Sequence, residues 1–539
     1  MKGLMMDCQL LIPSILERAE SLTGHKEIIS RLPDKSIHRY NYKALAERSK
    51  KLSSALQKLG VKEGDRVATF CWNHYQHLEA YFAIPATGAV IHTLNIRLSA
   101  EDLAFVINQA SDKILIVDQV LLPVFEKFRA DISPEKIIVI RQSDEPVCED
   151  YLIYEEVLEW ADSEIFQPFN GDENTAAMLC YTSGTTGKPK GVLYSHRSVV
   201  LNAMTLLLSC SGIGITENDV VLPVVPMFHA AAWGFPFSCA FSGASLVLPG
   251  PYSDAPDLLE LIAEHKVTIT GGVPTVFVTM LHYLNEHQER YKLVLRQIIV
   301  GGSAAPKYLI KDFQEKHAVS VLHSWGMTEL SPLGSTAPVT TEIKAKNKDL
   351  QLEYAGKQGQ PVPFLKVRGK TEHGWIPWDG QSPGELEVRG PCVASGYYLA
   401  DEPSESFTDD GWFKTGDIAV IHPNGFIELK DRTKDIIKSG GEWISSITLE
   451  NTLMSHPSVS DAAVIGIPDT KWIERPCAYL VLKEGHKVSA VELREFLKDK
   501  VAKFWIPEEY HFIESMPKTS VGKTMKSALR SRYLEEDNV

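Results

Sequence analysis

A stretch of twelve residues constrains this chain more than any other. Residues 181–192 read Tyr-Thr-Ser-Gly-Thr-Thr-Gly-Lys-Pro-Lys-Gly-Val and hold three glycines, four aliphatic hydroxyls and two lysines. With so little side-chain bulk, successive backbone N–H groups can close around an anion. The hydroxyls add donors and the lysines add positive charge. The apolar run 176–180 leads in and predicts a buried strand. A Gly/Ser/Thr cluster alone is most often a solvated surface loop. The two lysines and the strand before them shift the expectation to a polyphosphate cradle. Gly-x4-Gly-Lys-[Ser/Thr] cannot be threaded through it, which points away from the P-loop NTPases.

The rest of the composition limits the partners. The net charge is −14, with 44% apolar and 23% charged residues, as in a soluble globular protein with full-sized cores. No basic block interleaved with aromatics occurs, so nucleic acid is not an expected partner. An acidic protein that binds a polyanion must gather its lysines locally. The 539 residues predict roughly two to four domains. The eight cysteines are scattered with no CxxC clip, which predicts reduced thiols and a cytoplasmic setting. The N-terminus makes a poor signal peptide, because Asp7 and Pro13 interrupt its short apolar runs. The longest charge-poor stretch, 228–251, carries several glycines and prolines and predicts a loop-broken core, not a membrane span.

Helices are predicted over 12–22, 43–60, 77–88, 99–110, 195–208 and 258–264. Strands are predicted over 65–71, 89–94, 113–118, 136–141, 220–225, 269–272, 297–300 and 320–323. This alternation predicts parallel sheets covered by helices. After residue 353 short strand-like runs alternate with turns, which predicts a small antiparallel barrel or sheet. A charged segment, 430–438, follows. Beyond it a compact α+β unit is expected, with strands near 461–467 and 477–483. A helix over 490–504 would place Leu493, Phe496, Leu497, Val501 and Phe504 on one face. The natural boundary is 431–435.

Four further clusters can carry chemistry, although each is unremarkable by itself. Trp325-Gly326-Met327-Thr328-Glu329 lies beyond a predicted strand end, where α/β folds bind ligands; Thr328 can bond a phosphate oxygen and Glu329 can hold Mg²⁺. Asp417 closes Gly-Trp-Phe-Lys-Thr-Gly-Asp and can accept the two hydroxyls of a ribose. Asp431 to Asp435, followed by Ser439-Gly440-Gly441-Glu442-Trp443, suits a linker with a turn. Lys523 ends a C-terminal Gly turn, where lysines are usually solvated. His229, amid apolar neighbours, is most simply a satisfied core histidine, and Trp233, Phe235 and Phe237 are core or the wall of an apolar pocket.

Taken together and in this order, the motifs resemble the adenylate-forming superfamily of acyl-CoA synthetases, firefly luciferases and peptide-synthetase adenylation domains. The resemblance covers essentially the whole chain. Residues 439–445, 224–229 and 301–306 look most like bacterial medium- and long-chain fatty-acid–CoA ligases, with methylthiopropionate–CoA ligases nearby. This implies a mixed α/β fold. It would have a large AMP-binding domain (1–430) with a β-barrel-like subdomain, a hinge (431–435) and a mobile C-terminal domain (436–539). It also implies a two-step reaction with ATP, Mg²⁺ and coenzyme A on a small-molecule carboxylic acid. Thr182, Ser183, Gly184, Thr185, Thr186, Gly187 and Lys190 would clamp the β- and γ-phosphates, and Thr185 and Glu329 would hold Mg²⁺. Gly302, Ser303, Ala304, His323, Ser324 and Trp325 would enclose the adenine, with Gly326 and Met327 also in the ATP site. Thr328 would meet the α-phosphate, and Asp417 and Arg432 the ribose.

The same resemblance makes Lys523 the cation of adenylation and Lys434 the hinge. Lys438, Ser439, Gly440, Gly441, Glu442 and Trp443 would form the face used for thioester formation, with Trp443 a gate to the acyl tunnel. His229, Ala230, Trp233 and Gly301 would line the acyl entrance. Many relatives carry Tyr where this chain has Trp325, and the larger ring is expected to narrow the acyl channel. Relatives of this type are often homodimers, and peripheral membrane contact would suit a fatty-acid substrate.

Overall fold

The computed structural model describes residues 1, 3–161, 166–182, 188–400, 404–439, 442–519 and 524–537. Two mostly parallel sheets form the large part of the chain. The first has seven strands, with Arg66–Phe70, Val90–Thr93 and Ala176–Tyr181 adjacent near one edge and Gly191–Ser195 closing that edge antiparallel. The second has nine, and its parallel centre runs from Ser320–Gly326 through Gln297–Val300, Ile269–Gly272 and Val220–Pro223 to Ser245–Leu248 and Glu27–Arg31. Parallel strands need helical crossovers that bury both faces of the sheet. The sequence supplies them. Tyr42–Lys58 starts at Asn41, whose side chain accepts from the Ala44 N–H, and buries Leu45, Leu52 and Leu56 on one face. Each such leucine contributes about 1.5–3 kcal/mol.

The predicted mixed α/β architecture is what folds. Helices expected over 12–22, 43–60 and 99–110 appear as Ile12–Thr23, Tyr42–Lys58 and Ala100–Ala110, the last capped by Ser99 through the Asp102 N–H. The loop-broken core expected at 228–251 instead contains the helix Phe235–Ser242 and the strand Ser245–Leu248; the helix has Pro236 in its first turn and Gly243 as its left-handed stop. The C-terminal helix is shorter than its apolar spacing predicts. It ends at Leu497, burying Leu493 and Leu497, while Phe504 sits in a separate 3₁₀ turn, half exposed.

The barrel-like subdomain takes the open form. It is a five-stranded antiparallel sheet with Gly374–Trp375 and Ile427–Arg432 at its edges, and among the described residues these edges do not pair to close a barrel. Asp431 and Arg432 are the last residues of Ile427–Arg432, paired with Ile418 and Asp417, so the chain leaves regular structure only at 433–436. Beyond lies a second five-stranded sheet, built on the long hairpin Val459–Asp469 and Ile473–Leu482.

This last unit is fastened to the end of the preceding strand. Asp431 Oδ2 accepts from the Ser446 N–H at 2.6 Å, at the start of the helix Ser446–Met454. Lys526 Nζ reaches Ser446 Oγ and Glu450 Oε1, both at 2.6 Å, and Arg530 pairs with Asp435 at 2.8 Å. Both Lys526 and Glu450 are largely buried. Removing one partner of such a pair strands the other charge, at a cost of about 3 kcal/mol or more. Lys526→Met is therefore expected to loosen the C-terminal unit selectively. Hydrogen exchange should quicken over 442–537 and stay unchanged in the two large sheets; unchanged exchange in both would contradict the pairing.

Candidate nucleotide and acyl site

The carboxyl ends of the two parallel sheets and one face of the small antiparallel sheet surround two joined cavities of about 570 and 430 Å³. Gly302, Ser324, Trp325, Gly326, Arg432 and Lys434 belong to the walls of both. The glycine- and hydroxyl-rich stretch joins the two strands of an antiparallel hairpin, Ala176–Tyr181 and Gly191–Ser195. Its neck is closed twice: the Thr182 N–H donates to Lys190 O at 2.9 Å, and the Lys190 N–H to Thr182 Oγ1 at 3.1 Å. Ser183, Gly184, Thr185, Thr186 and Gly187 lie outside the described residues, as does Lys523.

Glu329 follows the strand Ser320–Gly326 and is buried at 8% exposure. Its Oε1 accepts from the Tyr397 hydroxyl at 2.8 Å, and the Lys190 ammonium stands 4.8 Å from the centre of the Tyr397 ring. Tyr397 thus carries a carboxylate on its hydroxyl and a cation on its face, and both groups line the larger cavity. Burial, and then the Glu329 charge, push the Tyr397 hydroxyl above its ordinary pKa, so it stays a donor. Thr328 is placed by its backbone: its carbonyl accepts from the Tyr194 hydroxyl at 2.6 Å.

Asp417 is held from two sides. Trp325 Nε1–H donates to Oδ2 at 3.0 Å, and Arg432 Nε lies 3.1 Å from Oδ1. The Trp325 ring leans on Gly334, where a Cβ would come within 2.5 Å of it, and packs with Leu330, Leu386, Val388 and Phe413. It lines both cavities, and its indole N–H is turned toward the small sheet. Gly301 and Gly302 follow the strand Gln297–Val300. A Cβ on Gly301 would lie 2.7 Å from Ser324 Oγ and 3.2 Å from the Trp233 ring, and Gly302 has φ +86°. Only glycine makes that turn without strain. Ser303 and Ala304 line the smaller cavity beside His323, whose Nδ1 bonds the Gly356 carbonyl at 3.1 Å and whose pKa burial lowers.

His229, Ala230 and Trp233 line the larger cavity with Leu206, Ile213, Phe235 and Ile299. Phe237 faces the core instead, stacked on Tyr81 at 5.5 Å. Ala230, Ala231, Ala232 and Trp233 all have positive φ, from +43° to +56°, ahead of Gly234 at +85°. Each left-handed non-glycine residue costs about 1 kcal/mol, and such strain gathers at functional sites. Met327 also lines the larger cavity, so among the described residues every candidate from the large unit borders one cavity or the other.

The candidates in the C-terminal unit are placed differently. Lys438, Ser439, Glu442 and Trp443 border neither cavity; Trp443 is 43% exposed and Ser439 bonds Arg475 at 3.2 Å. Gly440 and Gly441 lie outside the described residues. The edge that faces the smaller cavity is Lys518 with Thr524, Met525 and Lys526. Lys434 borders both cavities, and burial lowers its pKa.

Sequence reasoning missed Tyr397 and Tyr194. The only signal for Tyr397 was an aromatic pair after Gly396 in a stretch without periodicity. Tyr194 fell between the glycine-rich stretch and the helix predicted from residue 195, where no element was assigned.

Comparison with known proteins gives the arrangement a family. Residues 16–398 match the profile of the AMP-binding enzymes, and residues 448–523 match that of the AMP-binding enzyme C-terminal domain. The chain is 46% identical to a long-chain-fatty-acid–CoA ligase of Thermus thermophilus over 98% of its own length and 96% of that protein. It is 41% identical to a 3-methylmercaptopropionyl-CoA ligase of Ruegeria lacuscaerulensis, over 99% of each chain. The crystal structure of the anthranilate CoA ligase AuaEII in complex with anthranoyl-AMP superposes with a TM-score of 0.88 at 25% identity, over the whole of both chains. With its cavities at the strand ends and two profiles covering both of its parts, this chain belongs to the AMP-binding enzyme family.

Proposed function

We propose that the protein is an ATP-dependent acid–thiol ligase. It joins a fatty acid to AMP with release of pyrophosphate, then passes the acyl group to coenzyme A. The observation that carries this is the meeting of Thr182, Lys190, Thr328, Glu329, Asp417 and Arg432 around two joined cavities, although they come from segments up to 250 residues apart (432 − 182).

A carboxylate is a poor electrophile. In the first step its oxygen attacks the α-phosphorus of ATP, the bond to pyrophosphate breaks, and the acyl carbon gains a good leaving group. Two anions must meet in line, so the step needs fixed geometry and positive charge. Thr182 to Gly187 and Lys190 are assigned to the β- and γ-phosphates, Thr328 to the α-phosphate, and Asp417 with Arg432 to the ribose. The adenine falls to Gly302, Ser303, Ala304 and His323. Lys523 is assigned to the charge that develops on the α-phosphate. In the second step the CoA thiol attacks the acyl carbon and AMP leaves.

Glu329 suits a hard cation. Its carboxylate is buried at the cavity wall, its side-chain partner is a neutral phenol, and no lysine or arginine pairs with it among the described residues. Lone pairs therefore remain for Mg²⁺, with Thr185 as the second ligand. Mg²⁺ held there would supply positive charge to the phosphate oxygens.

The domains are assigned as 1–430, a hinge at 431–435 and a mobile unit at 436–539 that turns about Lys434. With Lys518, Thr524, Met525 and Lys526 at the smaller cavity and Trp443 away from it, the present arrangement suits adenylation. The face from Lys438 to Trp443 would come in for thioester formation. The apolar wall of Leu206, Ile213, Phe235 and Ile299 suits a medium to long acyl chain. The similarity to 3-methylmercaptopropionyl-CoA ligases favours a second reading, a ligase for a small carboxylate such as 3-methylthiopropionate. A panel of acids from three to eighteen carbons, scored by kcat/KM, separates them: an optimum at about eight carbons or more supports the first, and one at three or four carbons the second.

Eight free cysteines fit a reducing, cytoplasmic setting. No helix among the described residues is long and apolar enough to cross a membrane, so contact with a lipid surface would be peripheral. A homodimer through the large unit is the assembly we assign, and light scattering at twice the 60.0 kDa chain mass would support it.

Lys523→Ala is expected to slow acyl-AMP formation at least about 100-fold while supplied acyl-AMP is still converted to acyl-CoA. Equal loss of both half-reactions would contradict its role. Lys434→Pro fixes φ at the hinge and is expected to stall the enzyme after adenylation, with a normal burst of pyrophosphate and little acyl-CoA. Undiminished CoA turnover in that variant would remove the hinge.

A further inference from the structure

We propose that Trp325 is a positioning residue for the ribose-binding carboxylate, acting through its indole N–H. The inference rests on the assignment of Asp417 to the ribose. A carboxylate has about four lone-pair directions on two oxygens. In Asp417, one on Oδ2 is taken by Trp325 Nε1–H at 3.0 Å and one on Oδ1 by Arg432 Nε at 3.1 Å. One acceptor direction remains on each oxygen, which is what the two adjacent hydroxyls of a ribose require. Asp417 lines the smaller cavity beside Arg432, and its side chain is 2% exposed, so solvent does not compete for those directions.

The two donors differ in kind. Arg432 is a cation, is 39% exposed, and draws the carboxylate by charge. The indole N–H is neutral and its ring is locked against Gly334, Leu330 and Phe413, so it fixes how the carboxylate plane is turned without neutralising it. The bond also crosses between two sheets, since Trp325 ends Ser320–Gly326 and Asp417 lies in Phe413–Ile421. The nucleotide's sugar is thereby referenced to the strand end that presents Thr328 and Glu329. A phenylalanine here would fill the space and leave the carboxylate free to rotate.

The experiment compares ATP with 2′-deoxy-ATP and 3′-deoxy-ATP in acid-dependent pyrophosphate release, using wild type, Trp325→Phe and Asp417→Asn. Wild type should prefer ATP strongly. Trp325→Phe should lower kcat/KM for ATP about tenfold, mainly through KM, and lower it less for the deoxy nucleotides, each of which keeps only one hydroxyl for the carboxylate. The preference for ATP should then collapse toward that of Asp417→Asn. A loss in Trp325→Phe that falls equally on all three nucleotides would mean the ring serves packing alone, and would overturn the proposal while the ribose role of Asp417 stands. If wild type shows no preference for ATP, or Asp417→Asn keeps it, the ribose assignment itself fails and the proposal with it. Should Trp325→Phe not fold, replacing Trp325 by benzothienylalanine, which keeps the ring shape and lacks the N–H, is scored in the same way.

Discussion

A buried carboxylate without a paired cation among the described residues, beside the place to which we assign the phosphates, is the interaction to which the rest of this structure is fitted. Glu329 is withdrawn from water, carries no paired cation among the described residues, and takes one hydrogen bond from Tyr397. Left to itself such a group would repel a triphosphate. It is tolerable if a divalent cation bridges the two, and the neutral phenol keeps the carboxylate in place without consuming its charge. Lys190 completes the arrangement over the face of the same ring. An acidic chain with a net charge of −14 thus holds a polyanion by local placement and not by its overall field.

That placement depends on topology. The strand ends of one parallel sheet bring Gly301, Gly302, Thr328 and Glu329 together, because adjacent parallel strands finish at the same edge. The other parallel sheet contributes the hairpin neck at Thr182 and Lys190, and the small antiparallel sheet contributes Asp417 and Arg432 as a cross-strand pair. The pairing of Asp417 with Arg432 is a register fact: a slip of one residue would put the two side chains on opposite faces. The left-handed turn at Ala230–Trp233 is strained backbone at the acyl side of the same cavity. It is held by helices packed behind it, including Phe235–Ser242.

Much of this was legible in the sequence, and the reasons differ from residue to residue. The strand before Thr182, the Ser99 cap and the alternation of strands and helices follow from local pattern, and they folded as the pattern predicts. Residues such as Glu329 and Asp417 stood out only as members of an ordered set, because each has an innocent local explanation. Tyr397 was invisible because its role comes from where the fold puts it, against Glu329, which lies 68 residues away in sequence. The failures are also local. Apolar spacing over 490–504 continued past the true helix end at Leu497, since periodicity does not register where tertiary packing stops. The open edges of the small sheet, where a barrel was an alternative, follow from long-range pairing that short strand signals do not contain.

One acyl-adenylate is to touch the nine-stranded sheet and the small antiparallel sheet at once. A crystal structure with a non-hydrolysable acyl-adenylate analogue, such as an acyl sulfamoyl adenosine, tests that most directly. The prediction is a ribose on Asp417, an adenine against Gly302–Ala304, a sulfamoyl group at Thr328 and an acyl chain running past His229 toward Ile213. Density for the analogue with its sugar away from Asp417, or with its acyl chain outside the wall formed by Trp233 and Phe235, would contradict it.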